Sequence, residues 1–325
     1  MTYDDIWRRL AGVYDQREAR AVARMLVEEK FSLSFADIIC GAVEALSDAD
    51  KQWIEAAVKR LEQGEPIQYV LGWAWFAGLK FNVRSGVLIP RPETEWLVDN
   101  ICAHSSTPTD RPLRILDIGT GSGCIALSIK QRLPEAYVEA WDISTEALSI
   151  AADNARSLGL DVVLRQQDAL NITTSTHNIT PNDINTTPND NNGAPNDPLF
   201  WDVIVSNPPY ICQRERADMA CNVLDHEPST ALFVPDTDPL LFYRAITRYA
   251  VGSLNESGRL LFECNTLYAD DTASMMNDEG MAATEVFDDC FGKPRFAVGE
   301  KKLRAEAARI ASRSSQNSEQ KLKKQ

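Results

Sequence analysis

The sequence ILDIGTGSGC at residues 115–124 is the most informative stretch of the chain. Its first half is apolar and typical of a buried strand, its glycines favour a tight turn, and the residues that follow have helical spacing. Such a turn exposes backbone N–H groups at a helix N-terminus, where a ligand can approach the backbone closely. The stretch therefore predicts a ligand-binding turn in an α/β fold.

Apolar strands alternate with helical stretches on the C-terminal side of this turn. The strands that we predict lie at 114–117, 138–142, 162–166, 203–206, 259–263, 284–287 and 295–298. Alternation of strands with helices is typical of a parallel sheet that helices cover on both faces. The sequence thus predicts an α/β fold, a doubly wound seven-stranded mostly parallel sheet of Rossmann-like type.

Residues 1–64 have a different pattern, in which a Ser or Thr precedes an acid by three residues and apolar residues follow at helical spacing. This pattern is a capping box at the start of an amphipathic helix. It occurs at Thr2, Ser34 and Ser47, and a further helix includes residues 22–26. We predict a small N-terminal bundle of four short helices.

Composition shifts divide the rest of the chain. Residues 65–87 contain short aromatic and β-branched runs separated by Ala-Gly and Ser-Gly, which predicts a β-hairpin linker. Residues 171–198 are rich in Asn, Thr, Asp and Pro, which predicts a disordered insertion. We assign 1–64 to a bundle that either stabilises the chain or docks a macromolecular substrate, 88–300 to the ligand-binding domain and 301–325 to a basic polar tail.

Charge and composition exclude several classes of protein. A formal charge of −14, from 33 basic and 47 acidic residues, argues against direct nucleic-acid binding. The seven cysteines have no C-x-x-C spacing and the three histidines are far apart, which argues against a metal site and favours reduced thiols. Because there is neither a signal peptide nor a long apolar run, we expect a cytoplasmic protein with no membrane contact.

Carboxylates lie at or just after the ends of three successive predicted strands, at the sheet edge where ligands bind. Asp117 can face an ammonium group, Asp142 can accept both ribose hydroxyls, and Asp168 can bond an adenine amino group. The turn reads G-x-G-x-G and lacks the dinucleotide spacing. An ammonium, a ribose and an adenine without a pyrophosphate describe S-adenosyl-L-methionine. The predicted cofactor-binding residues are Asp117, Gly119, Thr120, Gly121, Ser122, Gly123, Asp142, Asp168, Ala169 and Asn207.

The sequence NPPY at residues 207–210 follows the fourth predicted strand. A planar amide or aryl amine is a poor nucleophile, so a site that methylates one must orient its NH2 group and accept its protons. Asn207 Oδ1 and the carbonyl of Pro208 can accept the two N–H groups, Pro209 stiffens the turn, and Tyr210 offers a face for stacking. We predict Asn207, Pro208 and Tyr210 as catalytic and all four residues as substrate-binding, with no strong base.

Five motifs together resemble one family over residues 1–300. They are EPIQY at 65–69, LIPRPETE at 88–95, DIGTGSG at 117–123, NPPY at 207–210 and HEPSTAL at 226–232. The chain resembles the S-adenosylmethionine-dependent protein N5-glutamine methyltransferases that modify class I peptide-chain release factors.

The resemblance implies a class I methyltransferase fold, with S-adenosyl-L-methionine as cofactor and S-adenosyl-L-homocysteine as product. It implies that Gly119 to Gly123 and Asp142 bind the cofactor, that Asn207 to Tyr210 hold the substrate glutamine, and that the helical bundle helps to grip the release factor. We add Arg91 and Glu93 as substrate-binding residues and expect a monomer.

The sequence departs from the family pattern in two places and leaves two alternatives open. The family usually has Glu-x-Gly and then Gln after the fifth strand, where this chain has Glu263-Cys264-Asn265. Ala169 stands where an aromatic side chain often packs on adenine. NPPY also occurs in nucleic-acid amino methyltransferases that act on adenine N6 or guanine N2, and a cofactor-binding adaptor without activity is the third possibility.

Overall fold

A computed structural model describes residues 1–104, 111–172 and 200–301. Of the predicted insertion at 171–198, only the first two residues belong to the described part. The predicted tail at 301–325 lies outside it after Lys301. In these three ranges, none of the helices has the length and apolar character that a membrane span requires.

The N-terminal region is helical, as predicted. Its helices are α1 (Tyr3–Leu10), α2 (Gln16–Phe31), α3 (Phe35–Ile39) and α4 (Asp48–Glu62). Capping boxes form at Thr2 and Ser34, and the Ser47 side chain caps α4. The apolar faces of these helices meet in a core of their own around Leu10, Leu26 and Ile54.

The third helix is shorter than its sequence pattern indicates. Apolar spacing extends to Leu46, but α3 ends at Ile39 because Gly41 adopts φ +91°, a conformation that no helix continues. Val43 is nevertheless fully buried in the turn that follows, whereas Ile39 is 64% exposed. The apolar residues after Ile39 are therefore apolar because the turn is buried, and not because a helix continues.

The predicted hairpin forms, and a short helix that the sequence analysis did not predict precedes it. Helix α5 (Ile67–Leu71) leads into strands β1 (Trp73–Phe76) and β2 (Leu79–Asn82), which pair antiparallel. In α5, Ile67 and Val70 pack into the core of the bundle. Tyr69 packs in a separate cluster and donates its hydroxyl to the carbonyl of Val87 at 2.5 Å. Helix α5 therefore connects the bundle to the domain that follows.

The central sheet has seven strands, and all seven predicted strands lie in it. The remaining strands in the described ranges are β3 (Arg114–Ile118), β4 (Tyr137–Asp142), β5 (Val163–Gln166), β6 (Trp201–Ser206), β9 (Leu254–Glu263), β10 (Met281–Asp288) and β11 (Pro294–Lys301) in this sheet, and β7 (Ile211–Cys212) and β8 (Phe233–Val234) in a separate two-stranded sheet. The sheet order is β10-β11-β9-β6-β3-β4-β5. Six of these strands run in one direction, and β11 runs in the opposite direction. This confirms the mostly parallel, doubly wound sheet.

Helices cover both faces of this sheet. They are α6 (Glu95–His104), α7 (Cys124–Arg132), α8 (Thr145–Leu158), α11 (Leu241–Ser253) and α12 (Ala269–Asp278), while the short helices α9 (Cys221–His226) and α10 (Ser229–Leu232) lie between β7 and β8 along the chain. One core joins α6, α7 and α8 to the sheet, and a second joins α11 and α12 to it. The order in which successive strands join the sheet reverses between β3 and β6, two parallel neighbours, and this reversal creates a crevice at their carboxyl ends.

Candidate active site

A cavity of about 380 Å³ occupies the crevice beyond the carboxyl ends of β3 and β6. Its volume falls in the range of small-molecule sites. The predicted site residues that line it are Arg91, Gly119, Thr120, Gly121, Ser122, Asp142, Asp168, Ala169, Asn207, Pro208 and Pro209. Asp117, Gly123, Glu93 and Tyr210 are not among its lining residues.

The glycine turn after β3 has a conformation that requires glycine. Gly119 adopts φ +77° and Gly123 adopts φ +82°, both in the left-handed region. A Cβ atom on Gly123 would lie 3.0 Å from Leu127 Cδ1 and 3.2 Å from the Cβ of Ala151. The glycines therefore serve both the turn and the close approach of α7 and α8. This packing explains why Gly123 does not line the cavity.

Asp142 lies at the end of β4 and is connected to the glycine turn. Its Oδ2 atom accepts the backbone N–H of Gly121 at 2.9 Å, and its Oδ1 atom accepts that of Ser144 at 2.9 Å. Burial raises the pKa of Asp142 above its usual range. Each carboxylate oxygen has a second lone pair, so both can still accept hydroxyl groups from the cavity.

Asp168 uses its carboxylate to hold its own turn. Oδ1 accepts the N–H of Leu170 at 2.8 Å, and Oδ2 accepts the side-chain amide of Asn171 at 2.6 Å. Ile143, Ala169 and Leu170 supply apolar wall beside it. The role predicted for Asp168 at an adenine amino group stays a prediction.

Asp117 lies beneath the glycine turn and is fully buried. Its Oδ2 atom accepts the Thr120 hydroxyl at 2.7 Å, and its Oδ1 atom has no hydrogen-bond partner among the described residues. Burial raises the pKa of Asp117 to about 7. The contact that we observe holds the turn in place, and the predicted contact with an ammonium group stays a prediction.

The NPPY turn begins where β6 ends beside β3. Ser206 donates its hydroxyl to the carbonyl of Ile118 at 2.6 Å, which joins the ends of the two strands. Asn207 donates from Nδ2 to Thr94 Oγ1 at 3.3 Å. Tyr210 donates its hydroxyl to Glu263 Oε1 at 3.1 Å, and its ring packs against the core on that face of the sheet.

Thr94 and Glu263 are site residues that the sequence analysis did not select. Thr94 donates its hydroxyl to Glu263 Oε2 at 2.6 Å, and both side chains are buried. Only their positions in the sequence could have indicated such a role: Thr94 lies in the segment LIPRPETE, and Glu263 is the last residue of the fifth predicted strand. Burial, together with the smaller effect of the Glu93 charge, raises the pKa of Glu263 to about 7.

Arg91 lines the cavity but is paired within the protein. It donates from Nη2 to Glu227 Oε1 at 2.7 Å, while Glu227 Oε2 accepts the N–H of Ile89 at 3.1 Å. The Glu227 side chain is only 1% exposed. This ion pair holds the segment LIPRPETE against HEPSTAL. Substrate-binding roles for Arg91 and Glu93 stay predictions.

Asn265, where the sequence departs from the family pattern, contacts the NPPY turn. Asn265 donates from Nδ2 to the carbonyl of Tyr210 at 3.1 Å and to Glu215 Oε2 at 3.0 Å. The side chain at this position therefore holds the last residue of the NPPY turn.

We expect the buried carboxyl of Glu263 to make stability depend on pH. Its folded pKa of about 7 exceeds the ordinary value of 4.5, so the native state binds the extra proton between these values. The free energy of unfolding should therefore fall as the pH rises through this window, by about 3 kcal/mol for this group. Urea unfolding of the wild type and Glu263→Gln at pH 5 and pH 8 measures the difference. Parallel pH dependence in the two proteins would contradict the assignment.

The described fold and cavity define a class of protein. A seven-stranded sheet with a glycine turn after β3, an aspartate at the end of β4 and NPPY after β6 is the arrangement of a class I methyltransferase. Two family descriptions agree: the PrmC N-terminal domain matches residues 6–72, and a methyltransferase domain matches residues 115–180.

Relatives along almost the whole chain identify the family. A release factor glutamine methyltransferase of Bacteroides thetaiotaomicron is 40% identical over 91% of this chain and 98% of its own. The enzyme of that name in Flavobacterium psychrophilum is 35% identical over 88% of this chain and 93% of its own. The one in Neisseria gonorrhoeae is 31% identical, with coverages of 92% and 98%. The chain belongs to the release factor glutamine methyltransferase family.

Proposed function

We propose that the protein transfers a methyl group from S-adenosyl-L-methionine to the side-chain amide nitrogen (N5) of a glutamine in a class I release factor. The observation that carries this proposal is the single cavity that both the glycine turn and the NPPY turn line. A cofactor on the first turn and an amide on the second would therefore lie side by side.

The residues at the glycine turn fit S-adenosyl-L-methionine. Gly119 to Ser122 leave the backbone open to the ligand, Asp142 presents two carboxylate oxygens for a ribose, and Ile143 and Ala169 provide apolar wall for a base. When bound, the cofactor supplies an electrophilic methyl group.

The residues of the NPPY turn would orient the glutamine amide. Asn207 donates a hydrogen bond from Nδ2 to Thr94, which leaves its Oδ1 atom to accept an N–H of the substrate. The Pro208 carbonyl would accept the second N–H. Both acceptors stabilise the positive charge that develops on the nitrogen, and proximity lowers the barrier further. All these groups come from one chain, so we propose that a monomer suffices.

Transfer of a labelled methyl group tests the proposed substrate. We expect label in a class I release factor and no label once its acceptor glutamine is replaced by Ala. The matched controls are duplex DNA and ribosomal RNA with the same enzyme. Label in either nucleic acid alone would favour an amino methyltransferase of nucleic acids, and label in none of the three would favour an adaptor.

We also propose that the helical bundle docks the release factor. Ile67 and Val70 belong to the core of the bundle, so deletion of residues 1–64 would expose them and confuse docking with folding. Negative charges introduced at Met25 and Ile39 test docking without this complication, because these side chains are 41% and 64% exposed on the bundle surface.

The double variant Met25→Glu with Ile39→Glu is expected to raise KM for the intact release factor by about 5-fold or more, since apolar contact would be lost at the interface. Turnover of a short glutamine peptide, which cannot reach the bundle, should not change. An unchanged KM for the intact factor, or equal losses on both substrates, would contradict docking at this surface.

A further inference from the structure

We propose that Thr94 and Glu263 are positioning residues that determine which end of the Asn207 amide faces the substrate. The inference rests on the proposed function, because it needs Asn207 to act as an acceptor. Glu263 is not among the residues that line the cavity, and Thr94, which does line it, contributes through the side chain of Asn207. Thr94 acts on Asn207, and Glu263 acts on Thr94.

The carboxylate of Glu263 can only accept hydrogen bonds when it is ionised. Its Oε2 atom accepts the hydroxyl of Thr94 at 2.6 Å. The single proton of that hydroxyl is thereby used. Thr94 Oγ1 then has only lone pairs left for its other neighbour, which is Asn207 Nδ2 at 3.3 Å.

This order of donors and acceptors decides the orientation of the amide. Asn207 must place its NH2 group toward Thr94, since two acceptors facing each other would repel. Its Oδ1 atom must then face the cavity, where the proposed chemistry needs an acceptor. If the Asn207 amide were rotated by half a turn, its NH2 group would face the NH2 group of the substrate, and two donors cannot form a hydrogen bond.

The same carboxylate reaches the other end of the NPPY turn. Glu263 Oε1 accepts the hydroxyl of Tyr210 at 3.1 Å, so one buried group connects both ends of the motif. Thr94 comes from a different segment, the short turn Pro92–Thr94. The assembly of these groups therefore requires the tertiary fold, and the motif alone does not provide it.

The surroundings of Glu263 allow it to change its protonation near neutral pH. The titratable groups that face it from the elements packed around it are Glu93, Cys124, Tyr210, Tyr243, Cys264 and Arg295. A protonated Glu263 can donate a hydrogen bond to Thr94 Oγ1, which leaves the Thr94 hydroxyl able to donate a hydrogen bond to Oδ1 of Asn207. The amide would turn, and its acceptor would leave the cavity.

A double-mutant cycle tests whether Thr94 acts through Asn207. Thr94→Val removes the hydroxyl at nearly constant volume and should lower kcat by about 10-fold. In the background of Asn207→Ala the same change should lower kcat by less than about 2-fold, because no amide remains to be oriented. Thr94→Ser should restore most of the activity. Binding of S-adenosylhomocysteine, measured by calorimetry, should be unchanged in every variant.

Equal losses from Thr94→Val in both backgrounds would overturn the inference and make Thr94 a purely structural residue. Thr94→Ser and the calorimetric signal provide the test of folding: failure of Thr94→Ser to restore activity in a protein that binds the product would also overturn it. If the wild type labels no release factor at all, it is the proposed function that fails.

The pH profile tests Glu263 separately. We expect kcat of the wild type to fall about tenfold per pH unit on the acid side of an inflection near 7. Glu263→Gln, whose Oε1 can still accept the Thr94 proton, should retain part of the activity and show no such limb between pH 6 and pH 8. A wild-type profile without the limb, or the same limb in Glu263→Gln, would overturn the role of Glu263.

Discussion

Asn207→Ala is expected to lower kcat by about 10²-fold or more, because the variant removes an acceptor whose hydrogen bond strengthens as charge develops on the nitrogen. Affinity for S-adenosyl-L-methionine should change little. Although Asn207 is among the predicted cofactor-binding residues, its side chain donates to Thr94, and no hydrogen bond between described residues connects that side chain to Asp142 or to the glycine turn. Rates of methyl transfer at saturating cofactor, with calorimetry as the control for binding, provide the measurement.

Asn207→Asp is the matched variant for this prediction. A carboxylate can still accept an N–H of the substrate, but it cannot donate to Thr94 and adds a second negative charge near Glu263. We therefore expect partial activity, above that of Asn207→Ala. Turnover of Asn207→Ala at the wild-type rate would show that the amide does not take part in the reaction.

Asp142→Ala is expected to weaken binding of S-adenosylmethionine and of its product by about 1–3 kcal/mol, which is about 5-fold to 150-fold in Kd. Two effects add: the hydrogen bonds to the ribose are lost, and the backbone N–H of Gly121 loses the acceptor that it has at 2.9 Å. Calorimetric titration with the product measures the change without turnover.

Asp142→Asn separates these two effects. Its side-chain oxygen can still accept the N–H of Gly121, while the charge is gone, so we expect a loss smaller than that of Asp142→Ala. Wild-type affinity in Asp142→Ala would remove this residue from the cofactor site.

The seven strands were predictable because each is a short apolar run that turn residues limit on both sides, and such a run can be buried in only a few ways. Helix caps were predictable for a similar local reason, as at Thr2 and Ser34, where a side chain and the backbone three residues later satisfy each other. The end of α3 was not predictable in this way. Apolar spacing is the same in a helix and in the buried turn that contains Val43.

The candidate site shows the same division between local and distant information. Asp142 and Asn207 could be selected because each follows a predicted strand, and strand ends meet at one edge of a parallel sheet. Tyr210 and Asp117 were selected by the same rule, yet neither lines the cavity. Which way a side chain points at the end of a strand depends on the neighbours that pack against it.

The sequence by itself determined the α/β class of the fold, the order of its strands along the chain, the glycine turn and the NPPY turn, because each of these depends on residues that are close in the chain. Only the tertiary structure decided that Thr94 and Glu263, which are 169 residues apart, form a hydrogen bond beside Asn207. It also decided that Arg91 is paired with Glu227. The physical reason is that a hydrogen bond depends on distance and direction in space, and a buried polar group takes the partner that folding brings to it.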